Sequence, residues 1–170
     1  MPTTETPLEY TLTHTHKADM FAFMQQHPDS YEEAFKLAIS NKQPYAWRAA
    51  WLLWSCLSKN DKRVRKHIPK ILKAIPEKAD GHQRELVKIL SLMDLNEDAQ
   101  GTLFDICLNL WKSIEKKPSV RYIAFQYLAK TAQQHPDLVT EIKYYTQKEY
   151  LVTLSPGVRR AINKLLTSLS

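Results

Sequence analysis

The string QQHPD occurs twice in this chain, and its spacing restricts the folds that the chain can adopt. The copies span residues 25–29 and 133–137, so they lie 108 residues apart, which equals three periods of 36 residues. Self-similarity at a period of about 20 to 50 residues is the sequence signature of repeat architectures. We therefore predict that the chain is built from repeated structural units.

Four arginines keep nearly the same period. They are separated by 36, 37 and 38 residues and stand at Arg48, Arg84, Arg121 and Arg159. Further residues with mostly apolar side chains follow each arginine three and six positions later, which is the spacing of one helix face. This shared stripe predicts a set of buried side chains, namely Trp51, Trp54, Leu90, Tyr127, Ile162 and Leu165.

Prolines and capping residues divide each repeat into two helices. The first helices are predicted over residues 17–27, 44–57, 80–94, 118–134 and 156–168, and the second helices over residues 30–40, 61–75, 97–115 and 137–150. Their short connections leave no room for strands, so the predicted fold class is all-α. Residues 1–16 lack apolar periodicity and are predicted to form a polar N-terminal tail before a single helical-repeat domain over residues 17–170.

Three features of the chain together resemble HEAT repeats, which are armadillo-like. Helices alternate at a period of about 37 residues, Val-Arg pairs stand near the start of first helices, and a proline lies inside a second helix, as in Val120-Arg121, Val158-Arg159 and Ile68-Pro69-Lys70. The resemblance covers about residues 17–169. It implies a right-handed α-α superhelix, or solenoid, of about four helix pairs plus a C-terminal helix. Such stacks present an extended surface without a deep pocket, which favours a non-enzymatic module that binds a protein or peptide.

The whole chain also resembles small bacterial HEAT-like proteins of unassigned function, some of which carry the label adenylosuccinate lyase. That enzyme needs a much longer chain and a mobile Gly/Ser-rich loop, whereas the glycines here stand apart at positions 81, 101 and 157. We therefore expect no lyase activity. The sequence also offers no convergent set of acid, base or nucleophile, so we predict no catalytic and no cofactor-binding residue.

The net charge of +6 comes from one stretch of the chain. Residues 59–78 contain eight basic and two acidic residues, so the remainder is neutral overall. Within the predicted helix 61–75, lysines recur at spacings of 4, 4 and 3 residues, opposite the apolar side. In HEAT stacks the second helices usually line the concave surface. The resemblance thus places the candidate binding surface in the inner groove, and that surface comprises Lys62, Arg63, Lys66, Lys70, Lys73, Lys112 and Lys116.

Three interpretations of this basic surface stay open. Solvated lysines aid solubility, and a face of this kind need bind nothing. The leading functional hypothesis is an acidic protein or peptide partner, which a focused positive field would capture. The alternative is a nucleic-acid-binding protein that contacts phosphates, and its extreme is an enzyme similar to the DNA-alkylation-repeat glycosylases.

The four arginines and the tryptophans are predicted to be structural. A cation in the first turn opposes the helix dipole, so we expect each arginine of this ladder to bond to a carboxylate or a helix C-terminus in the neighbouring repeat. The ridge of Trp47, Trp51 and Trp54 is expected to pack in the core. Stacking on nucleobases would instead need these rings exposed beside basic residues.

Cysteine content and hydropathy set further expectations. Cys56 and Cys107 each lie in an apolar stretch, which favours buried packing and leaves no ligand set for zinc. The longest apolar run has six residues, from Ala49 to Trp54, and the N-terminus is polar. A bilayer span needs about 20 apolar residues. We therefore expect a cytoplasmic monomer that binds neither membrane nor metal.

Overall fold

The computed structural model describes residues 4–169, and every regular element in that range is helical. Residues 1–3 of the predicted tail and the final Ser170 lie outside the described residues. The chain divides into two compact units, residues 1–94 and 95–170. The all-α fold class predicted from the sequence is confirmed, whereas one domain over residues 17–170 stays a prediction.

The first unit is organised around its fourth helix. Its described residues contain α1 Pro7–His14, α2 Lys17–Gln26, α3 Ser30–Ile39, α4 Tyr45–Cys56, α5 Ile68–Ala74 and α6 Asp80–Ser91. Helix α4 packs most extensively on α3 and α6, and it also contacts α1 and α2. Small and branched side chains of α4 are fully buried, namely Ala46, Ala49, Ala50, Leu52 and Leu53. They let neighbouring helices approach closely.

The second unit is organised around its longest helix. Its described residues contain α7 Glu97–Lys112, α8 Pro118–Gln134, α9 Val139–Tyr144, α10 Lys148–Leu151 and α11 Pro156–Ser168. Helix α8 packs on α7, α9 and α11. The buried Trp111 of α7 tilts against Phe125 of α8, with ring centroids 4.7 Å apart. This aromatic pair lies where α7 and α8 contact each other.

The predicted first helices agree with α2, α4, α6, α8 and α11, each within about three residues at either end. Two predicted second helices, 30–40 and 97–115, agree with α3 and α7. Capping explains the accuracy at two starts, because the Ser155 hydroxyl accepts a bond from the Val158 N–H and the Asn96 side chain accepts one from the Ala99 N–H. Local sequence signals were sufficient to place these boundaries.

The second helix predicted over 61–75 is broken in the structure. A 3₁₀ helix, Lys62–His67, precedes α5, and another 3₁₀ turn, Ile75–Glu77, follows it. Pro69 has no N–H and so cannot bond to the carbonyl of Arg65. That carbonyl instead accepts from the N–H of Ile68, three residues ahead, which is the 3₁₀ pattern.

The second helix predicted over 137–150 is also broken. It consists of a 3₁₀ turn, Pro136–Leu138, followed by α9 and the short α10. The Thr146 hydroxyl donates to the carbonyl of Lys143 at 2.6 Å, so a side chain competes for a backbone acceptor at the end of α9. Continuous helix was the wrong prediction for this segment.

The polar tail predicted for residues 1–16 is wrong over residues 7–14, which form α1. Thr6 caps this helix in a capping box with Glu9, and Pro7 stands in the first turn. Leu8 and Leu12 are fully buried, and α1 contacts α2, α3 and α4. Two leucines four residues apart are enough to dock a helix of two turns.

The burial prediction for the repeated stripe holds in part. Leu90, Tyr127 and Ile162 are buried, Trp51 and Leu165 are half-buried, and Trp54 is exposed to 36%. Burial raises the pKa of the Tyr127 hydroxyl to about 12. The prediction that Trp54 is buried was wrong, because the side of α4 that carries Trp54 is not fully covered by neighbouring helices.

The docking of α1 can be tested by mutation. Replacing Leu12 with Ala should lower the free energy of unfolding by about 2–5 kcal/mol, because it leaves a cavity under α1. Urea denaturation measures this loss. The matched control is Tyr10→Ala on the same helix, where the side chain is 53% exposed, and it should cost well under half as much. Equal effects of both changes would contradict the docked helix.

Candidate binding surface

The predicted basic residues of the first unit are all exposed. Lys62, Arg63, Lys66, Lys70 and Lys73, together with Arg65, form a group that we call the basic segment. The apolar residues between them, Val64 and Ile71, are fully buried and fix the segment to the unit. A 3₁₀ turn has three residues, so the cations before Pro69 spread around the axis and do not form the straight α-helical stripe that the spacing predicted.

Two cations of the basic segment are held by carboxylates. Arg63 forms a bidentate pair with Asp61, with Nε–Oδ1 and Nη2–Oδ2 distances of 3.0 and 2.7 Å. Its guanidinium also lies 3.8 Å from the centroid of the Tyr31 ring. The bond from Arg63 holds the pKa of the Asp61 carboxyl well below its usual range. Lys66 Nζ lies 2.8 Å from Glu32 Oε2.

The other lysines of the segment are not neutralised in this way. Within residues 4–169, Lys62, Lys70 and Lys73 make no ion pair with a carboxylate, although all three are exposed. Their charges face solvent without a fixed counter-charge. An anionic partner would meet no intramolecular competitor at these three positions.

A cavity of about 400 Å³ opens between α3 and the 3₁₀ helix Lys62–His67. Its lining combines aromatic, acidic and basic side chains, namely Pro28, Asp29, Tyr31, Glu32, Phe35, Lys62, Arg63 and Lys66. No pattern in the sequence predicts this cavity. The two sides come from different elements, α3 and the basic segment, and only packing brings them together.

His67 lies behind Glu32 and Phe35, two of the residues that line the cavity. Its ring is buried and stacks on Phe35 with centroids 4.2 Å apart, and its Nε2 lies 3.2 Å from Glu32 Oε2. Burial lowers the pKa of His67, although the Glu32 carboxylate opposes this shift. The bond from Lys66 lowers the pKa of Glu32. One carboxylate oxygen thus contacts both Lys66 and His67.

The two predicted lysines outside this segment belong to the second unit. Lys112 Nζ lies 4.7 Å from the centroid of the Tyr145 ring, and Lys112 is exposed. Lys116 is half-buried and interacts within the chain. A surface that joins them to the basic segment, and its location on a concave side, stay predictions.

The predicted arginine ladder is present at two of its four positions. Arg48 Nη1 donates to the carbonyl of Leu12 in the last turn of α1 at 2.8 Å. Arg84 instead pairs with its own neighbour on α6, the buried Glu85, at 2.9 Å. Arg159 is exposed and bonds to no carboxylate or helix end among the described residues. Sequence spacing alone overestimated the regularity of the ladder.

Arg121 is the most constrained of the four arginines. It is fully buried and donates from Nε to the Trp111 carbonyl at 2.9 Å, and from Nη2 to the Tyr150 carbonyl at 2.6 Å. Its Nη1 donates to the Thr153 hydroxyl at 3.1 Å. Burial lowers the pKa of this guanidinium. Helix-terminal carbonyls, and not a carboxylate, therefore hold this cation.

A second surface of the first unit combines tryptophans with cations. Trp47 and Trp54 are 37% and 36% exposed, and Lys88 Nζ of α6 lies 3.6 Å from the centroid of the Trp54 ring. Lys17 Nζ of α2 lies 5.8 Å from the centroid of the half-buried Trp51 ring. The prediction that this ridge packs in the core is wrong for Trp47 and Trp54. We call this group the tryptophan face.

Neither cysteine is arranged as a reactive thiol. Cys107 is fully buried, as predicted, and Cys56 is half-buried. Burial raises the pKa of both thiols. In residues 4–169 no group of three or more His, Cys, Asp or Glu side chains is placed to hold a metal ion. None of the helices in that range is long and apolar enough to cross a bilayer.

A family model described as a HEAT repeat domain matches residues 4–169. This chain belongs to the HEAT repeat domain family. The match confirms the predicted family and the α-α solenoid class, and it includes α1. HEAT repeats generally mediate protein interactions and are typically not catalytic. Searches of curated proteins and of solved structures found no match to this chain.

The role of Arg121 predicts unequal effects along the ladder. Arg121→Ala should lower the free energy of unfolding by about 1–3 kcal/mol, since it leaves the Trp111 and Tyr150 carbonyls without their charged donor. Arg159→Ala is the matched control in the same unit and should change stability by less than about 0.5 kcal/mol. Thermal or urea denaturation compares them. A parent-like melting curve for Arg121→Ala would contradict the structural role.

Proposed function

We propose that this protein is a non-enzymatic interaction module that binds an acidic protein or peptide segment through the basic segment. The observation that carries the proposal is that Lys62, Lys70 and Lys73 are exposed without a carboxylate partner among residues 4–169. These cations belong to the stretch that accounts for the net charge of +6. Family membership supports a protein as the partner.

The physical basis is electrostatic capture followed by local contact. A cluster of like charges focuses the field and raises the rate at which an anionic partner arrives. The buried Val64 and Ile71 hold the cluster in place, so less order has to be gained on binding. In this proposal Lys112 and Lys116 of the second unit remain further candidate contacts, and the chain acts as a cytoplasmic monomer without a cofactor.

The proposal predicts that charge removal weakens binding of a Glu-rich decapeptide. Changing Lys62, Lys70 and Lys73 together to Gln should raise the dissociation constant about tenfold. That value corresponds to three exposed ionic contacts of about 0.5 kcal/mol each. The Gln side chain is similar to that of Lys in length and in helix propensity. Isothermal titration or fluorescence anisotropy at low salt measures the change, and higher salt should diminish it.

The matched control removes the same charge elsewhere. Arg159, Arg160 and Lys164 are exposed on α11, so their joint replacement by Gln lowers the net charge equally in the second unit. The control should bind the decapeptide nearly as well as the parent. If both triple variants lose the same affinity, the binding is general electrostatics and the proposed site is wrong.

Nucleic acid binding is a second candidate, and the tryptophan face favours it. Exposed Trp47 and Trp54 beside Lys88 provide the combination of aromatic rings and cations on which single-stranded bases stack. Lys88 covers one part of the Trp54 ring, and the two tryptophans are exposed to nearly the same extent, 37% for Trp47 and 36% for Trp54. Phosphates would then follow the nearby cations.

This second candidate has its own test. If the face binds bases, a thymidine dodecamer should quench tryptophan emission, and Trp47→Leu should weaken binding by about 1–3 kcal/mol. Tyr144→Leu removes an aromatic side chain of the second unit that is 59% exposed, more than Trp47, and should have no effect. No quenching at low salt would exclude the tryptophan face as a base-stacking surface.

A further inference from the structure

Glu32 projects into the cavity beside the basic segment and is held there by two donors. Its Oε2 lies 2.8 Å from Lys66 Nζ and 3.2 Å from His67 Nε2. Both donors come from the 3₁₀ helix Lys62–His67, whereas Glu32 comes from α3. The chain therefore contains a carboxylate binding site that one of its own carboxylates already occupies.

Lys66 and His67 together form what we call the clasp around the Glu32 carboxylate. The two residues differ in how far they are buried. His67 is buried and stacked on Phe35, so its Nε2 is fixed behind the Glu32 carboxylate, beside the cavity. The side chains of Lys66 and Glu32 are 67% and 44% exposed. Exposed ion pairs are screened by water and contribute little to stability. Glu32 can therefore leave the clasp by side-chain rotation while the backbone of both elements stays in place.

The cavity beside the clasp has room for more than an ion. Its volume of about 400 Å³ extends past Glu32 to Pro28 and Tyr31, with the Arg63 guanidinium over the Tyr31 ring. Pockets that bind small ligands begin at about 300 Å³. A carboxylate in the clasp could thus be accompanied by the neighbouring side chain of the same peptide.

We propose that Glu32 is a built-in competitor, and that a carboxylate of the acidic partner replaces it at Lys66 and His67 when the partner binds. This inference rests on the proposed function, because it assumes that the basic segment binds an acidic polypeptide. Binding then has two components: Lys62, Lys70 and Lys73 attract the partner without competition, and the clasp accepts one carboxylate only after Glu32 has left. Glu32 sets the threshold for stable binding.

Charge complementarity favours a carboxylate over a phosphate at this position. The clasp already accommodates a carboxylate oxygen with both donors in reach. Asp29 also lines the cavity, so two negative side chains face any anion that enters. A phosphomonoester, which carries nearly two charges, would be repelled more strongly than a single carboxylate.

The test compares two variants that remove the same charge. Glu32→Gln frees Lys66, whereas Glu77→Gln removes an exposed carboxylate of the same unit that takes no part in the clasp. Both are titrated with the Glu-rich decapeptide, and circular dichroism confirms that both fold. Glu32→Gln should raise affinity about two- to fivefold beyond Glu77→Gln, which corresponds to the release of one weak exposed ion pair.

A second comparison isolates the clasp from the general field. In a Lys66→Gln background, the extra gain of Glu32→Gln over Glu77→Gln should shrink to near zero, because Lys66, the ammonium donor of the clasp, is absent and only the His67 ring remains. A gain that persists in this background would overturn the competitor role. If the parent and Glu77→Gln bind the decapeptide and Glu32→Gln gives no extra gain, the inference fails while the proposed function stands.

Failure of the proposed function has a different signature. If the parent protein does not bind the decapeptide at low salt, both the proposed function and the competitor role are overturned. The same conclusion follows if the parent binds only a thymidine dodecamer. An increase confined to Glu32→Gln, and abolished by Lys66→Gln, is the result that supports the inference.

Discussion

A guanidinium bonded to a carbonyl in the last turn of another helix ties two helices together in each unit. The final turn of a helix leaves carbonyls without backbone partners and carries the negative end of the dipole. Arg48 uses this site on α1, and Arg121 uses the carbonyl of Trp111 at the end of α7. The cation in the first turn is tolerated because its side chain reaches away from its own helix.

Other cations take no part in such contacts and stay available for a partner. Where an arginine bonds to carbonyls, its charge is used inside the unit, as with the buried Arg121. Lys62, Lys70 and Lys73 differ because their charged groups lie in solvent over a buried row of Val64 and Ile71. Pro69 shapes this part of the surface by forcing a 3₁₀ helix before it, which directs the cations to several sides. A flexible acidic segment suits such a surface better than a rigid straight one.

Much of the architecture could be predicted because its signals are local. Capping by Asn96 and Ser155, and the apolar stripes of α4 and α8, determine helix starts and buried faces without reference to other elements. Helix α1 was missed because two leucines do not make a recognisable period. Pro69 is evident in the sequence, but its effect on the backbone depends on which carbonyl accepts the next N–H. The spacing rules for side chains on an α-helix contain no information about that hydrogen bond.

The candidate site was harder to predict from the sequence, because its residues come from different elements. The charge and exposure of the basic segment followed from residue counts and helix geometry, whereas the clasp unites Glu32 of α3 with Lys66 and His67. Partners about 35 residues apart are brought together only by packing. The exposed Trp54 shows the same limit, because its environment depends on α6 and on Lys88. The contact between Trp54 and Lys88 could have been suggested by the repeat. Helix α4 begins at Tyr45 and α6 at Asp80, so Trp54 and Lys88 stand at nearly equivalent positions of the two helices.

The most direct measurement of the central claim is an amide NMR titration of the labelled protein with the Glu-rich decapeptide. We expect resonances of residues 28–35 and 62–74 to shift together, because residues 28–35 and 62–66 line the cavity and Lys70 and Lys73 continue the basic segment. The four tryptophan indole N–H signals should stay in place. Unchanged resonances in residues 62–74, with shifts confined to the tryptophan indoles or to α8 and α11, would contradict the account.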